Sequence, residues 1–126
     1  MEMIIGGAYQ GKAAYAKAQF PDVDWKFGGE ITEEELLKGS GCSGISGIHR
    51  KALKAGEDLT GLAEKLAQQD PDVILVSEEV GYGIVPADAF ERQYREAVGR
   101  VCTALAAKSR RVTRVVCGIG TVLKDD

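Results

Sequence analysis

The stretch that most constrains the fold is the opening one. An apolar run, Met3-Ile4-Ile5, enters Gly6-Gly7-Ala8-Tyr9-Gln10-Gly11-Lys12 and continues into Ala13-Ala14-Tyr15-Ala16-Lys17. A strand pattern, a glycine turn, a lysine and then helix formers, at the spacing G-x4-G-K, describe a phosphate-binding loop between a strand and a helix. Glycines free backbone N–H groups to point into such a loop, and the start of the following helix adds partial positive charge. Lys12 then reaches a β- or γ-phosphate as a point charge, which makes Gly6 to Ala13 the candidate nucleotide-binding segment. Ala13 stands where a Ser or Thr hydroxyl ordinarily helps to hold Mg2+. With 16 glycines in 126 residues, the spacing alone arises readily by chance. Its place between an apolar run and a helical pattern carries the argument; the alternative is an ordinary glycine turn after an edge strand.

A chain of this length is expected to form one domain, residues 1–126, around a single core. Its net charge of −3 provides no broad basic surface for nucleic acid or an anionic membrane. The apolar N-terminal run is too short for a signal peptide and carries Glu2, and no segment approaches the length of a membrane span. The expectation is a soluble cytoplasmic protein. Cys42, Cys102 and Cys117 show no C-x2-C pairing, so neither a disulfide framework nor a zinc site is indicated. Cys102 and Cys117 fall on helical and strand patterns and are expected to be buried, whereas Cys42 sits in a glycine-rich stretch that can leave it exposed.

Along the chain, Phe20-Pro21-Asp22 stops the first helix. Val23 to Phe27 alternates around Trp25 as a short edge strand or an ordered loop. Thr32-Glu33-Glu34-Glu35 spells a capping box before a short helix that Gly39 ends. Gly39 to Gly47 is a glycine–serine stretch, read as a linker or an active-site loop. Ile48 to Ala55 is helical in character and carries His49, the single histidine, at its start. Asp58 can cap a further helix with Leu59, Leu62, Ala63 and Leu66 on one face. Val73-Ile74-Leu75-Val76 reads as a central parallel strand covered on both faces. It ends in Ser77-Glu78-Glu79, where an open α/β sheet binds ligands and a phosphate-loop enzyme holds its metal. Gly81-Tyr82-Gly83-Ile84-Val85-Pro86 is a second glycine-containing turn, Pro86 fits the first turn of the long helix that follows, and that helix buries Phe90, Tyr94, Val98, Val101 and Leu105. Val112 to Cys117 is a strand, Gly118-Ile119-Gly120 a turn, and Thr121 to Leu123 a final short strand. The fold class that follows is three-layer α/β with a mostly parallel sheet.

Several of these segments resemble the adenosylcobinamide kinase/adenosylcobinamide-phosphate guanylyltransferase family of cobalamin biosynthesis. Glu79-Val80-Gly81-Tyr82-Gly83-Ile84-Val85-Pro86 is similar to its N-E-V-G-x-G-I-V-P segment. Gly99-Arg100-Val101 and Leu105-Ala106-Ala107 resemble its G-R-V and L-A-A helix, and Val115-Val116-Cys117-Gly118-Ile119-Gly120 its closing V-V-x-G-I-G. Gly6 to Lys12 matches its G-G-A-x-x-G-K loop. About half of the chain is covered, at both ends and in order.

The resemblance implies a nucleotide-dependent transferase of the phosphate-loop fold. Such enzymes phosphorylate adenosylcobinamide with a nucleoside triphosphate, then transfer GMP from GTP to that phosphate through a histidine–GMP intermediate. It implies that Gly6 to Lys12 binds nucleotide phosphates, that Glu79 lies near Mg2+ and the phosphates, and that Arg100 lies on the helix behind them. GTP or ATP and a corrinoid are the implied substrates; a homo-oligomer is expected separately, because so small a domain leaves room for a site shared between subunits. His49, followed by Arg50 and Lys51, echoes the family's nucleophilic histidine; the alternative is a half-exposed histidine at a helix start. Three features depart from the pattern. Ala13 replaces Ser or Thr, Glu78 replaces an Asn and adds negative charge near the triphosphate, and the middle of the chain is short. The guanylyl transfer is therefore the activity expected first, with phosphorylation second. The rivals are a non-catalytic, degenerate nucleotide-binding protein and a kinase for an unrelated alcohol.

Overall fold

A computed structural model of the protein describes residues 1–7, 10–44, 48, 50, 52, 54, 61–78 and 88–126. Among these residues, β1 (Glu2–Gly6), β2 (Trp25–Phe27), β3 (Gly41–Ser43), β4 (Ile74–Glu78), β5 (Arg111–Val116) and β6 (Ile119–Asp125) form one sheet, ordered β2-β3-β4-β1-β5-β6. Every neighbouring pair is parallel except β5 and β6. The helices are α1 (Lys12–Gln19), α2 (Glu33–Lys38), α3 (Leu62–Gln69) and α4 (Ala89–Lys108), and Ile48, Arg50, Ala52 and Lys54 are helical as well.

Alternation along the central strands sorts the core into two layers. Met3, Val73, Leu75 and Val112 point to one face and pack with Leu36, Leu62, Leu66, Val101 and Leu105 of α2, α3 and α4. Ile4, Ile74, Val76 and Val115 point to the other face, under Ala16 of α1. Continuous apolar runs in β1 and β4 are what a parallel strand covered on both sides requires. The result is the three-layer α/β fold expected from the sequence.

The capping box of α2 acts as read from the sequence, whereas α3 begins at Leu62 with Gly61 at its N-cap and α4 at Ala89 with Asp88 at its N-cap, so the expected starts at Asp58 and Pro86 are corrected. Thr32 accepts from the Glu35 backbone N–H while the Glu35 carboxylate takes the Thr32 N–H, completing the capping box of α2. Asp88 caps α4 by accepting from Phe90 and Glu91, and Tyr94, Val98, Val101 and Leu105 form the buried stripe. Phe90 is half-buried.

Three further expectations are corrected. Cys42 is buried, because β3 forms inside the glycine–serine stretch and pairs Cys42 with Leu75 of β4. Cys117 is exposed, because the turn between β5 and β6 falls one residue earlier than expected, on Cys117-Gly118, both with positive φ. Two left-handed residues in succession match the twist of an antiparallel hairpin, and β6 accordingly runs to Asp125, well past Leu123. His49, Asp58, Glu79, the turn 81–83 and Pro86 lie outside the described residues.

Candidate phosphate-binding site

The site sits where β1 and β4 send their chains to opposite faces of the sheet, α1 to one and α4 to the other. Such a divergence opens a crevice at the carboxyl ends of the two strands, which is where open α/β sheets take ligands. The glycine loop leaves the end of β1 into this crevice, and Lys12 is the first residue of α1.

Gly6 ends β1 beside β5 so closely that a Cβ there would stand 2.8 Å from the Val115 carbonyl oxygen. Gly11, at the N-cap of α1, has φ 83°, a left-handed conformation that glycine adopts without strain. Between them, Gln10 ties the loop to the β5–β6 turn at two points. Its backbone carbonyl accepts from Gly118 N–H at 2.8 Å, and its side-chain Oε1 accepts from Cys117 N–H at 2.8 Å. Ala8 and Tyr9 lie outside the described residues.

Lys12 folds back over the loop. Its Nζ donates to the Gly7 carbonyl at 3.3 Å and lies 3.9 Å from Glu78 Oε1. The pairing follows from register, since β1 and β4 set Gly6 directly opposite Glu78. The Lys12 side chain is 15% exposed and that of Glu78 39%, so the ammonium is covered while the carboxylate opens to solvent. Ala13 contributes no oxygen. Behind this pair, buried Ser77 contacts Cys102 Sγ at 3.3 Å and links β4 to α4. Burial pushes the Cys102 thiol up, against the smaller opposing effect of the Ser77 hydrogen bond.

A second cluster lies at the start of α4. Arg50 makes a two-pronged ion pair with Glu91, at 2.8 and 3.2 Å, with its guanidinium 4.2 Å from the centre of the Tyr94 ring. The hydrogen bond from Arg50 is the largest effect holding the Glu91 carboxyl below the usual carboxylate range. Ile48 is buried in the core. Both neighbours of His49 in sequence are thus anchored, although His49 itself is outside the described residues, as is Glu79. Arg100 stands on an exposed part of α4, 3.9 Å from Glu96, beside Gly99 and Thr103. No described contact joins it to Lys12 or Glu78.

The donor chemistry around the loop suits a hard cation that arrives with a nucleotide. Among the described residues no cluster of three or more His, Cys, Asp or Glu side chains is assembled. One half-exposed carboxylate, Glu78, lies beside Lys12 at the end of β4. Mg2+ is commonly held in this manner, by one or two carboxylates with substrate phosphates and water completing the shell.

Sequence reading identified the loop but missed its partners. The Gln10 contacts reach across the whole chain, and the Arg50–Glu91 pair joins segments far apart in sequence. Glu78 is legible in the sequence as an acidic residue at a ligand-binding strand end and as an added negative charge. Its proximity to Lys12 becomes legible once β4 is placed next to β1.

A mostly parallel sheet, with a glycine loop and lysine at the start of the first helix, defines the class: a phosphate-loop α/β protein. Residues 36–123 match the CobU family, described as cobinamide kinase / cobinamide phosphate guanyltransferase, and the chain belongs to that family. The matched range begins after the phosphate loop, so the assignment of Gly6 to Lys12 rests on the loop's own residues and geometry.

The chain is 48% identical over 52 residues to the bifunctional adenosylcobalamin biosynthesis protein CobU of Escherichia coli, which covers 41% of this chain and 29% of that protein. The same identity and coverage hold for CobU of Salmonella typhimurium. The bifunctional adenosylcobalamin biosynthesis protein CobP of Pseudomonas aeruginosa is 37% identical over 65 residues, 52% of this chain and 38% of its own. The matches thus span well under half the length of these relatives. No helix among the described residues is long and apolar enough to cross a membrane.

Proposed function

We propose that this chain is a nucleotide-dependent transferase of cobalamin biosynthesis that moves GMP from GTP to adenosylcobinamide phosphate. The observation that carries the reading is the braced loop, with Lys12 at the crevice between β1 and β4 and a carboxylate opposite it. In this reading Gly6 to Ala13 cradles the β- and γ-phosphates through backbone N–H groups, and Lys12 neutralises one of them. Glu79 would help to hold a Mg2+ ion that arrives with the nucleotide, and the ion would neutralise part of the triphosphate charge. Arg100 is retained as a nucleotide-binding candidate through the family's G-R-V segment.

His49 is the proposed nucleophile. An imidazole nitrogen attacks the α-phosphorus of GTP, the bond to the β-phosphate oxygen breaks, and pyrophosphate leaves. A phosphate oxygen of the corrinoid substrate then attacks the same phosphorus, the P–N bond breaks, and the histidine is restored. Arg50 is held by Glu91 and Tyr94, which favours a role in fixing its segment over a free charge at the α-phosphate. Phosphorylation of adenosylcobinamide from ATP or GTP is the secondary activity, weakened because Ala13 removes a metal-binding hydroxyl.

Incubation with GTP, adenosylcobinamide phosphate and Mg2+ tests this reading. Mass spectrometry should find the guanylylated corrinoid with an equal amount of pyrophosphate, and Lys12→Ala should slow its formation. The second reading, a non-catalytic nucleotide-binding protein, has Ala13 in its favour. GTP binding with no pyrophosphate release would identify it.

A further inference from the structure

We propose that the tip of the β5–β6 hairpin is a nucleobase subsite, where Val116 and Ile119 pack against the flat face of a purine whose phosphates occupy the loop. The inference rests on the reading that Gly6 to Lys12 binds nucleotide, and assigns a base-binding role to residues outside that loop.

Three observations carry it. First, exposed apolar surface gathers on this hairpin. Of the five large apolar side chains exposed among the described residues, Val116, Ile119, Val122 and Leu123 belong to it, whereas apolar residues scattered singly over a surface need no explanation. Val116 and Ile119 are partners across the two strands, 46% and 70% exposed. Strand alternation sets them on the face opposite to buried Val115, which packs in the α1 layer. On the α1 side, the Tyr15 ring lies against Gly120 and covers the hairpin near its tip; the Val116–Ile119 pair stays open.

Second, the tip is joined to the loop. Gln10 accepts from the backbone N–H groups of both Cys117 and Gly118, and a Cβ on Gly11 would stand 3.4 Å from the Gly118 Cα. Ile119 follows Gly118 directly, so the apolar pair begins about 4 Å of chain beyond that contact. Third, the loop has a charged side and an apolar side. Lys12 leans toward β4, 3.9 Å from Glu78 Oε1, while Gln10 and Gly11 lean on the hairpin. A lysine on the β4 side takes the terminal phosphates, and the uncharged nucleoside end then leaves over the hairpin. There a purine finds two aliphatic side chains already held at fixed spacing, and buries its faces without ordering a new segment. The rival occupant of this surface is a second copy of the chain, added along the open edge of β6.

Isothermal titration calorimetry of the full chain in Mg2+, with GTP and separately with inorganic tripolyphosphate, tests the proposal. Wild type should bind GTP at least about tenfold more tightly than tripolyphosphate. Ile119→Ser and Val116→Ser keep the backbone ties to Gln10. Each should weaken GTP about fivefold or more and leave tripolyphosphate unchanged. Phe27→Ser, at the exposed apolar residue of the far edge, should change neither. Equal losses of both ligands in the hairpin variants would reduce the tip to a brace for the loop and overturn the base role. Preference for GTP that survives both variants would put the base elsewhere and overturn it too. Wild-type affinity equal for the two ligands would overturn the proposal while leaving phosphate binding by the loop intact. Absence of binding by either ligand would remove the nucleotide reading and the proposal together. Sedimentation velocity separates the rival: an oligomer that Ile119→Ser dissociates with GTP affinity unchanged would assign the surface to a second copy and overturn the proposal.

Discussion

The two edges of the sheet are built differently, and among the described residues only one of them is bonded to the loop. At one edge, β5 and β6 form a long hairpin whose turn is bonded twice to Gln10, and β5 presses its Val115 carbonyl against Gly6. At the other edge, β2 and β3 are three residues each. They are held by parallel pairing and by side chains such as Trp25, which is half-buried. The described part of the loop is therefore braced by the last part of the chain, while the β2–β3 edge completes the core with no described bond to the loop. Disturbing the hairpin should alter phosphate binding; disturbing the far edge should alter stability alone.

The largest expected effect that would test this contrast is Gly6→Ala. The added methyl meets backbone, which cannot swing aside, so destabilisation of about 2 kcal/mol or more is expected, read as a fall in urea midpoint. A midpoint close to wild type would show that β1 and β5 can separate cheaply. Next, Lys12→Ala should weaken Mg·GTP binding by about tenfold to a hundredfold with little change in thermal midpoint, since its partner Glu78 is 39% exposed. A smaller loss would move the anchor to the backbone N–H groups alone.

A matched pair compares the regions directly. Gln10→Ala removes one tie to the hairpin and Thr32→Ala removes the cap of α2, each costing about 1 kcal/mol of stability. Only Gln10→Ala should also weaken GTP binding. Equal effects on binding would mean that the far edge reaches the site after all. The smallest effect concerns the cysteines. At pH 8, alkylation followed by peptide mass mapping should find exposed Cys117 modified first. Cys42, whose thiol burial pushes up to about 11, should stay unmodified until the protein unfolds. Rapid labelling of Cys42 in the native protein would mean that β3 opens readily.

What was legible in the sequence was what local pattern dictates. The strand–loop–helix opening, the Thr32 capping box and the buried stripe of α4 each depend on residues a few positions apart. Misread features depend on distant partners. Cys42 is buried because β4 gives the glycine–serine stretch a strand to pair with, a circumstance that composition cannot signal. Cys117 is exposed because a two-residue turn places it at a hairpin tip in a conformation that glycine usually takes. The same holds within the site. The loop was readable from its spacing, whereas the Lys12–Glu78 contact and the Gln10 ties follow from strand order. Family resemblance added the candidate roles of His49 and Glu79, which the described residues leave as proposals.

The central claim is that the loop presents GTP so that its α-phosphate reacts at His49. Its most direct test is incubation of wild type and His49→Ala with Mg2+ and either α-32P-GTP or γ-32P-GTP, followed by denaturing electrophoresis. The account predicts protein-bound label from the α-labelled nucleotide alone, lost in acid, stable in alkali and absent from His49→Ala. Label persisting in His49→Ala, or no label in wild type that demonstrably binds GTP, would contradict it.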